Sequence, residues 1–186
     1  MKKGVRSIKR RLKGEGITML QKVDPKTLTK NPFTLIGDQW MLITAGTPDH
    51  CNTMTASWGG VGIMWAAPAA TCYIRPQRYT KQFVDENEYF SLCFFDESYR
   101  EKLTYCGKTS GRDEDKIKAC GFTVEAGAGN TPYFAEAELV LVCRKQYAQG
   151  MKPECILDPA VDGTFYPERD YHTMYIGQIV EAYQRG

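Results

Sequence analysis

Long helices are excluded first, because the apolar residues of this chain never run far before a turn-former interrupts them. Short runs rich in β-branched and aromatic side chains occupy residues 40–45, 71–74, 89–95, 122–124, 133–144 and 171–183. Between them fall Thr47-Pro48-Asp49, Ala66-Ala67-Pro68 and the loop 127–130. Runs of this length and chemistry, bounded by Gly, Pro, Asn and Asp, read as strands. Residues 61–65 either continue the preceding strand or bulge at Gly59-Gly60-Val61-Gly62, since glycine inside a strand marks a bend or a close approach. Residues 89–95 alternate as a half-buried strand does, and the last run holds one glycine, Gly177, where a strand would curve. Helices are expected only as short pieces: one over 81–85 capped near Tyr79 or Thr80, one over 98–106 ended by Gly107, and one running through Ala119 with acids in its first turn. A Gly/Pro-containing excursion covers 149–170. The expected class is mainly β with short helices, α+β.

With 186 residues, 42% hydrophobic and 25% charged, one globular domain is expected over 19–186. No apolar run approaches the ~18 residues of a membrane span. The formal charge of +2 hides an asymmetry. Residues 1–18 carry Lys2, Lys3, Arg6, Lys9, Arg10, Arg11 and Lys13 against Glu15, which reads as a basic tail. The remaining 17 basic and 21 acidic residues give the body a net charge of −4. Such a body is no nucleic-acid footprint, which needs a basic face. The seven cysteines, at 51, 72, 93, 106, 120, 143 and 155, are odd in number, scattered and without a Cys-x-x-Cys pair. With no apolar h-region after the basic start, they read as reduced, mostly buried thiols of a cytoplasmic protein. His50-Cys51 is a candidate redox or metal pair, and no four-ligand metal spacing accompanies it.

Three stretches carry chemistry. The first is Asn52-Thr53-Met54-Thr55-Ala56-Ser57-Trp58, followed by Gly59-Gly60: small hydroxyls and an amide, which donate and accept without net charge, beside one large ring. It suits a flat polar heteroaromatic ligand, and equally an exposed strand edge. The second is Arg75-Pro76-Gln77-Arg78-Tyr79-Thr80, a strand end running through a basic turn into a helix, an anion site in outline. Its arginines would alternatively be solvated or paired with Asp85 or Glu86. The third, Lys108-Thr109-Ser110-Gly111-Arg112-Asp113-Glu114-Asp115-Lys116, repeats that logic, so that two hydroxyl-plus-cation turns can grip one phosphate. His172 would point into a cleft and titrate near neutrality, or cap a strand edge.

The order of these motifs, completed by Tyr171-His172-Thr173-Met174-Tyr175-Ile176-Gly177-Gln178-Ile179, resembles the flavin reductase-like family of FMN-binding split barrels, which includes the flavoredoxins. The resemblance covers roughly residues 30–183. It implies an antiparallel Greek-key split barrel, a homodimer, and FMN near the subunit interface. Asn52, Thr53, Met54, Thr55, Ala56, Ser57 and Trp58 would line the isoalloxazine and ribityl, with threonine hydroxyls and backbone N–H groups facing the ring's polar edge. Arg75, Thr80, Lys108 and Ser110 would hold the phosphate, with Tyr79 and Lys116 in the same binding set. His172 would stand near the flavin as the candidate catalytic residue. The activity implied is electron transfer from NADH, NADPH or a protein donor through FMN to free flavin, ferric complexes or another acceptor. No nucleic acid, membrane or metal is expected. A non-catalytic FMN-binding or storage module is the alternative, and a nucleic-acid-binding barrel using the basic tail is a third.

Overall fold

The computed structural model describes residues 19–186. The basic tail expected at 1–18 lies outside the described residues. Strands and helices follow in the order β1 (Leu20–Val23), β2 (Met41–Thr47), β3 (His50–Ala56), β4 (Gly59–Met64), β5 (Ala67–Ile74), α1 (Thr80–Glu86), β6 (Tyr89–Phe94), α2 (Arg100–Lys108), α3 (Lys116–Cys120), β7 (Val124–Gly127), β8 (Thr131–Phe134), β9 (Leu139–Gly150), α4 (Pro159–Phe165) and β10 (Thr173–Arg185).

One antiparallel sheet runs β3-β2-β6-β9-β10-β5-β4, with β1 added to β10, and β7-β8 form a separate hairpin. Strands distant in sequence lie side by side, β2 against β6 and β10 against β5, which is the Greek-key character expected. The two ends of this path, β3 and β4, are consecutive in the chain and joined through Ser57-Trp58 without pairing. The barrel is therefore split at the stretch that the sequence singles out.

Period-2 alternation sorts the core into two layers. Inside the barrel lie Ile43 of β2, Phe90, Leu92 and Phe94 of β6, Leu139 and Leu141 of β9, and Tyr175 of β10. Outside it, Leu42, Cys93, Val140 and Val142 pack against Leu103, Phe122 and Phe134 of the helical and hairpin layer. Each buried Leu, Val or Phe contributes about 1.5–3 kcal/mol over exposure. Because β6 is covered on both faces, it is buried nearly throughout, not half-buried as its alternation suggests. The polar residues on its outer face are satisfied: Ser91 donates to Pro132 O at 2.6 Å.

Four boundaries differ from expectation, the first being that of α2, which runs through Gly107 to Lys108 instead of ending at the glycine. Residues 61–65 do not extend β3; β4 turns back on β5 through Trp65-Ala66, two non-glycine residues with φ of 47° and 59°, as the backbone twist of a tight hairpin requires. Pro68 lies within β5 instead of breaking it, because the β10 ladder ends at Ala69–Gln178 and leaves Pro68 a partner on the β4 side alone. The acids before α3 precede the helix: Asp115 caps it, accepting from Lys118 N at 3.0 Å. Gly177 does sit at a register shift, where a Cβ would lie 2.8 Å from Cys143 Cβ and 2.9 Å from the Phe90 ring.

Candidate functional site

Two adjoining cavities open along β3. The smaller, about 150 Å³, is walled by Asn52 and Met54 of β3, by the turn residues Gln77, Arg78, Tyr79 and Thr80, and by Lys108, Thr109, Ser110, Gly111 and Lys116. Both basic turns of the sequence thus converge. Asn52 is the tie between them: its Nδ2 donates to Thr80 Oγ1 at 2.8 Å, and its Oδ1 lies where a Cβ on Gly111 would come to 2.0 Å. Only glycine lets the second turn approach so closely. Thr80 opens α1 with no side-chain cap, its hydroxyl being turned to Asn52.

The cavity is cationic. Lys116 is buried and donates from Nζ to Cys106 O at 3.0 Å. Burial, aided by the nearby Arg78 charge, pushes its ammonium down to about 8. Arg78, itself pushed down by burial, donates to Gly107 O at 2.8 Å. Uncompensated positive charge held away from water favours an anion. The Arg112 guanidinium covers the Tyr79 ring at 4.5 Å.

The larger cavity, about 310 Å³, continues from Met54 and Arg78 past Thr55, Ala56, Ser57 and Trp58 to Tyr73, Arg75 and His172. Trp58 stands 5.0 Å from the His172 ring and 5.2 Å, edge-on, from Phe165. Phe165 belongs to the excursion expected over 149–170, which runs from the end of β9 at Gly150 to the start of β10 at Thr173, holds α4 and lies across this end as a strap; Arg75 donates to the Phe165 carbonyl at 2.8 Å. Arg75 is also ion-paired with Asp170, and Gln77 donates to the other Asp170 oxygen at 2.7 Å. These two partners hold the Asp170 carboxyl below its usual range.

Of the expected cofactor residues, Asn52, Tyr79, Thr80, Lys108, Ser110 and Lys116 meet in the smaller cavity. Thr55, Ala56, Ser57 and Trp58 line the larger one, and Met54 belongs to both. Arg75 stands with Trp58 and His172, away from the other phosphate candidates; Arg78, on the same turn, takes the position expected of it. Thr53 points away from both cavities, fully buried, its hydroxyl 2.9 Å from that of Thr44 and 3.2 Å from Ile43 O. Thr55 spends its hydroxyl on Leu103 O at 2.5 Å. The threonine hydroxyls therefore do not face the cleft, because alternate side chains of one strand point to opposite faces. Gln77, Thr109 and Gly111 line the smaller cavity without having been singled out, although each lies within a motif.

His172 does not titrate near neutrality. Burial, with Arg75 close by, pushes its imidazole down to about 4. The His50-Cys51 pair is not a reactive pair either: the His50 ring packs on Phe83 at 5.2 Å, and burial, with Asp115, pushes the Cys51 thiol up to about 11. Five of the seven cysteines are buried. Among the described residues no group of His, Cys, Asp and Glu is arranged to hold a metal ion, and no helix is long and apolar enough to cross a membrane.

A split antiparallel barrel with a cationic pocket opening into an aromatic cleft defines a class of ligand-binding domain. Residues 34–186 match the family described as flavin reductase like domain, and the chain belongs to that family. Solved structures agree in fold. Flavoredoxin from Methanosarcina acetivorans is 24% identical with a TM-score of 0.63, the match covering 79% of this chain and 68% of that one. The FMN-binding domain of a flavin reductases-like enzyme from Shewanella baltica is 17% identical with a TM-score of 0.67, covering 92% and 80%. The NADH:FAD oxidoreductase of Streptomyces globisporus is 14% identical with a TM-score of 0.60, covering 80% and 74%. No curated protein matches the chain at a significant level. The family assignment supports flavin binding.

Proposed function

We propose that this protein binds FMN and works as an oxidoreductase, moving electrons from NADH, NADPH or a redox protein through the flavin to a second acceptor. The observation that carries the reading is the junction of the two cavities at Met54 and Arg78. A phosphate-sized cationic pocket leads directly into a cleft walled by Trp58, Tyr73 and His172. A pocket of about 150 Å³ has room for a phosphate.

The donor set fits the cofactor. Lys108 and Lys116 supply charge, and Thr80 and Ser110 supply hydroxyls, to phosphate oxygens. Met54 and Ala56 form an apolar floor for the ribityl and ring, and Trp58 covers its edge. When bound, FMN supplies the hydride chemistry, and the protein supplies binding, orientation and electrostatics. Phe165 of the strap meets Trp58 edge-on at this end. His172, neutral, offers a hydrogen bond rather than a charge to whatever lies beside Trp58.

A second copy of the chain completes the functional unit in this reading. Ile63 and Trp65 of the β4-β5 hairpin are 66% and 55% exposed, and Phe33, 85% exposed, and Val61 line a neighbouring cavity that shares Ser57, Trp58 and Tyr73 with the cleft; an apolar surface of this kind next to a site favours association. The buried, unbridged cysteines are consistent with a cytoplasmic protein. An anaerobic titration tests the activity: NADH or NADPH added to FMN-loaded protein bleaches the flavin absorbance, and added acceptor restores it. Flavin that binds and stays oxidised with every donor would identify a storage module instead.

A further inference from the structure

We propose that Tyr166 is the positioning residue of His172: its hydroxyl donates to Nδ1, and this leaves the imidazole with its one N–H on Nε2, offered to the ring cleft. The Tyr166 oxygen lies 2.9 Å from His172 Nδ1. Its alternative acceptor is Met151 Sδ at 3.6 Å, a thioether and therefore a weak one. Were the imidazole proton on Nδ1, the tyrosine would have to accept it and turn its own hydrogen to sulfur, exchanging a strong O–H···N bond for a poor O–H···S contact. Nε2 has no hydrogen-bond partner among the described residues, although the ring lines the cleft.

The tyrosine is itself fixed from several sides. Its ring meets the His172 ring edge-on at 5.6 Å, packs on Tyr171 at 4.8 Å, and lies under the Arg75 guanidinium at 5.3 Å. Arg75 is anchored in turn by Asp170 and Phe165 O. The titratable and charged groups facing His172 are thus Arg75 from the turn after β5 and Tyr166 and Asp170 from the strap, with Trp58 covering the remaining side. Burial and Arg75 together keep the ring uncharged at neutral pH.

The consequence is a fixed, neutral donor. A group that gave up its Nε2 proton entirely would become an imidazolate, so His172 would donate a hydrogen bond to a carbonyl oxygen or imine nitrogen without transferring the proton. That the acceptor belongs to a flavin or its substrate rests on the reading above; the position of the proton does not.

The test is the tautomer of His172 in flavin-free, nitrogen-15-labelled protein, read from long-range proton–nitrogen correlations, with exposed His50 as the internal reference. Wild type is expected to carry the proton on Nε2 across neutral pH. Tyr166→Phe, which keeps the ring packing, is expected to give a mixture of tautomers. With FMN loaded, the same variant should lose roughly tenfold in kcat, the upper range for one neutral hydrogen bond, with KM and FMN affinity within about twofold. Met151→Leu should leave the tautomer unchanged, and it serves if Tyr166→Phe does not fold. A proton on Nδ1 in wild type, a shift caused by Met151→Leu, or an unchanged tautomer in Tyr166→Phe overturns the proposal. Because the tautomer is read without flavin, failure of FMN to bind would refute the cofactor assignment alone.

Discussion

Lys116 offers a test in which protons report on the phosphate. Its ammonium, pushed down to about 8, is half neutral at pH 8. The FMN phosphate is already a dianion there, its second pKa being about 6. A dianion settling beside Nζ restores the charged form, so binding at pH 8 should take up about half a proton per FMN. The sign is fixed: free protein loses the proton as pH rises through about 8 and the complex keeps it. Affinity is therefore full below that pH and falls by up to about tenfold per pH unit above it. Calorimetry in two buffers of different ionisation enthalpy at pH 8 measures the uptake. Lys116→Met should abolish it, and riboflavin, lacking the phosphate, should show none. Equal uptake for FMN and riboflavin, or none for FMN, would refute the assignment of this cavity to the phosphate.

Gly111→Ala puts a Cβ 2.0 Å from Oδ1 of Asn52, whose Nδ2 is bonded to Thr80; overpacking and the loosened hydrogen bond should cost about 2 kcal/mol in urea unfolding and about tenfold in FMN affinity. Unchanged stability would mean that the turn moves aside freely. Arg78→Ala should weaken FMN much more than riboflavin, whereas Arg75→Ala should weaken both alike, since Arg75 anchors the strap through Asp170 and Phe165; competitive titration with the two flavins separates the cases. His172, with its folded pKa about 4 below an ordinary value near 6.5, contributes stability that is complete above about pH 6.5 and lost as pH falls toward 4. The gap in urea midpoint between wild type and His172→Asn should shrink across that window, and a gap independent of pH would count against a buried neutral imidazole.

Residue type and order made the site readable where chemistry depends on identity. The amide and hydroxyls of Asn52, Thr80 and Ser110 and the ammonium groups of Lys108 and Lys116 need only be brought together, and an antiparallel barrel does so by laying β3 against both turns. Direction was less legible. Arg75 and Arg78 are alike in sequence, and the choice between them is made by Asp170, far along the chain, which draws Arg75 to the strap. Thr53 was within reach of pattern reasoning, because strand alternation sets Asn52 and Met54 on one face and Thr53 on the other. Tyr166 and Phe165 were not: the strap has no hydrophobic period, and its aromatics acquire meaning only where β10 brings His172 beside them. The β4-β5 hairpin escaped for another reason, since Trp65-Ala66 holds two positive φ angles without the Gly or Asn that normally announces them.

The most direct test of the two-cavity account is the ratio of dissociation constants for riboflavin and FMN, measured by flavin fluorescence on one preparation at pH 7. Two or more charge-assisted hydrogen bonds at about 1.5–3 kcal/mol each put FMN at least ~100-fold tighter. A ratio near one, or binding of neither flavin, contradicts it.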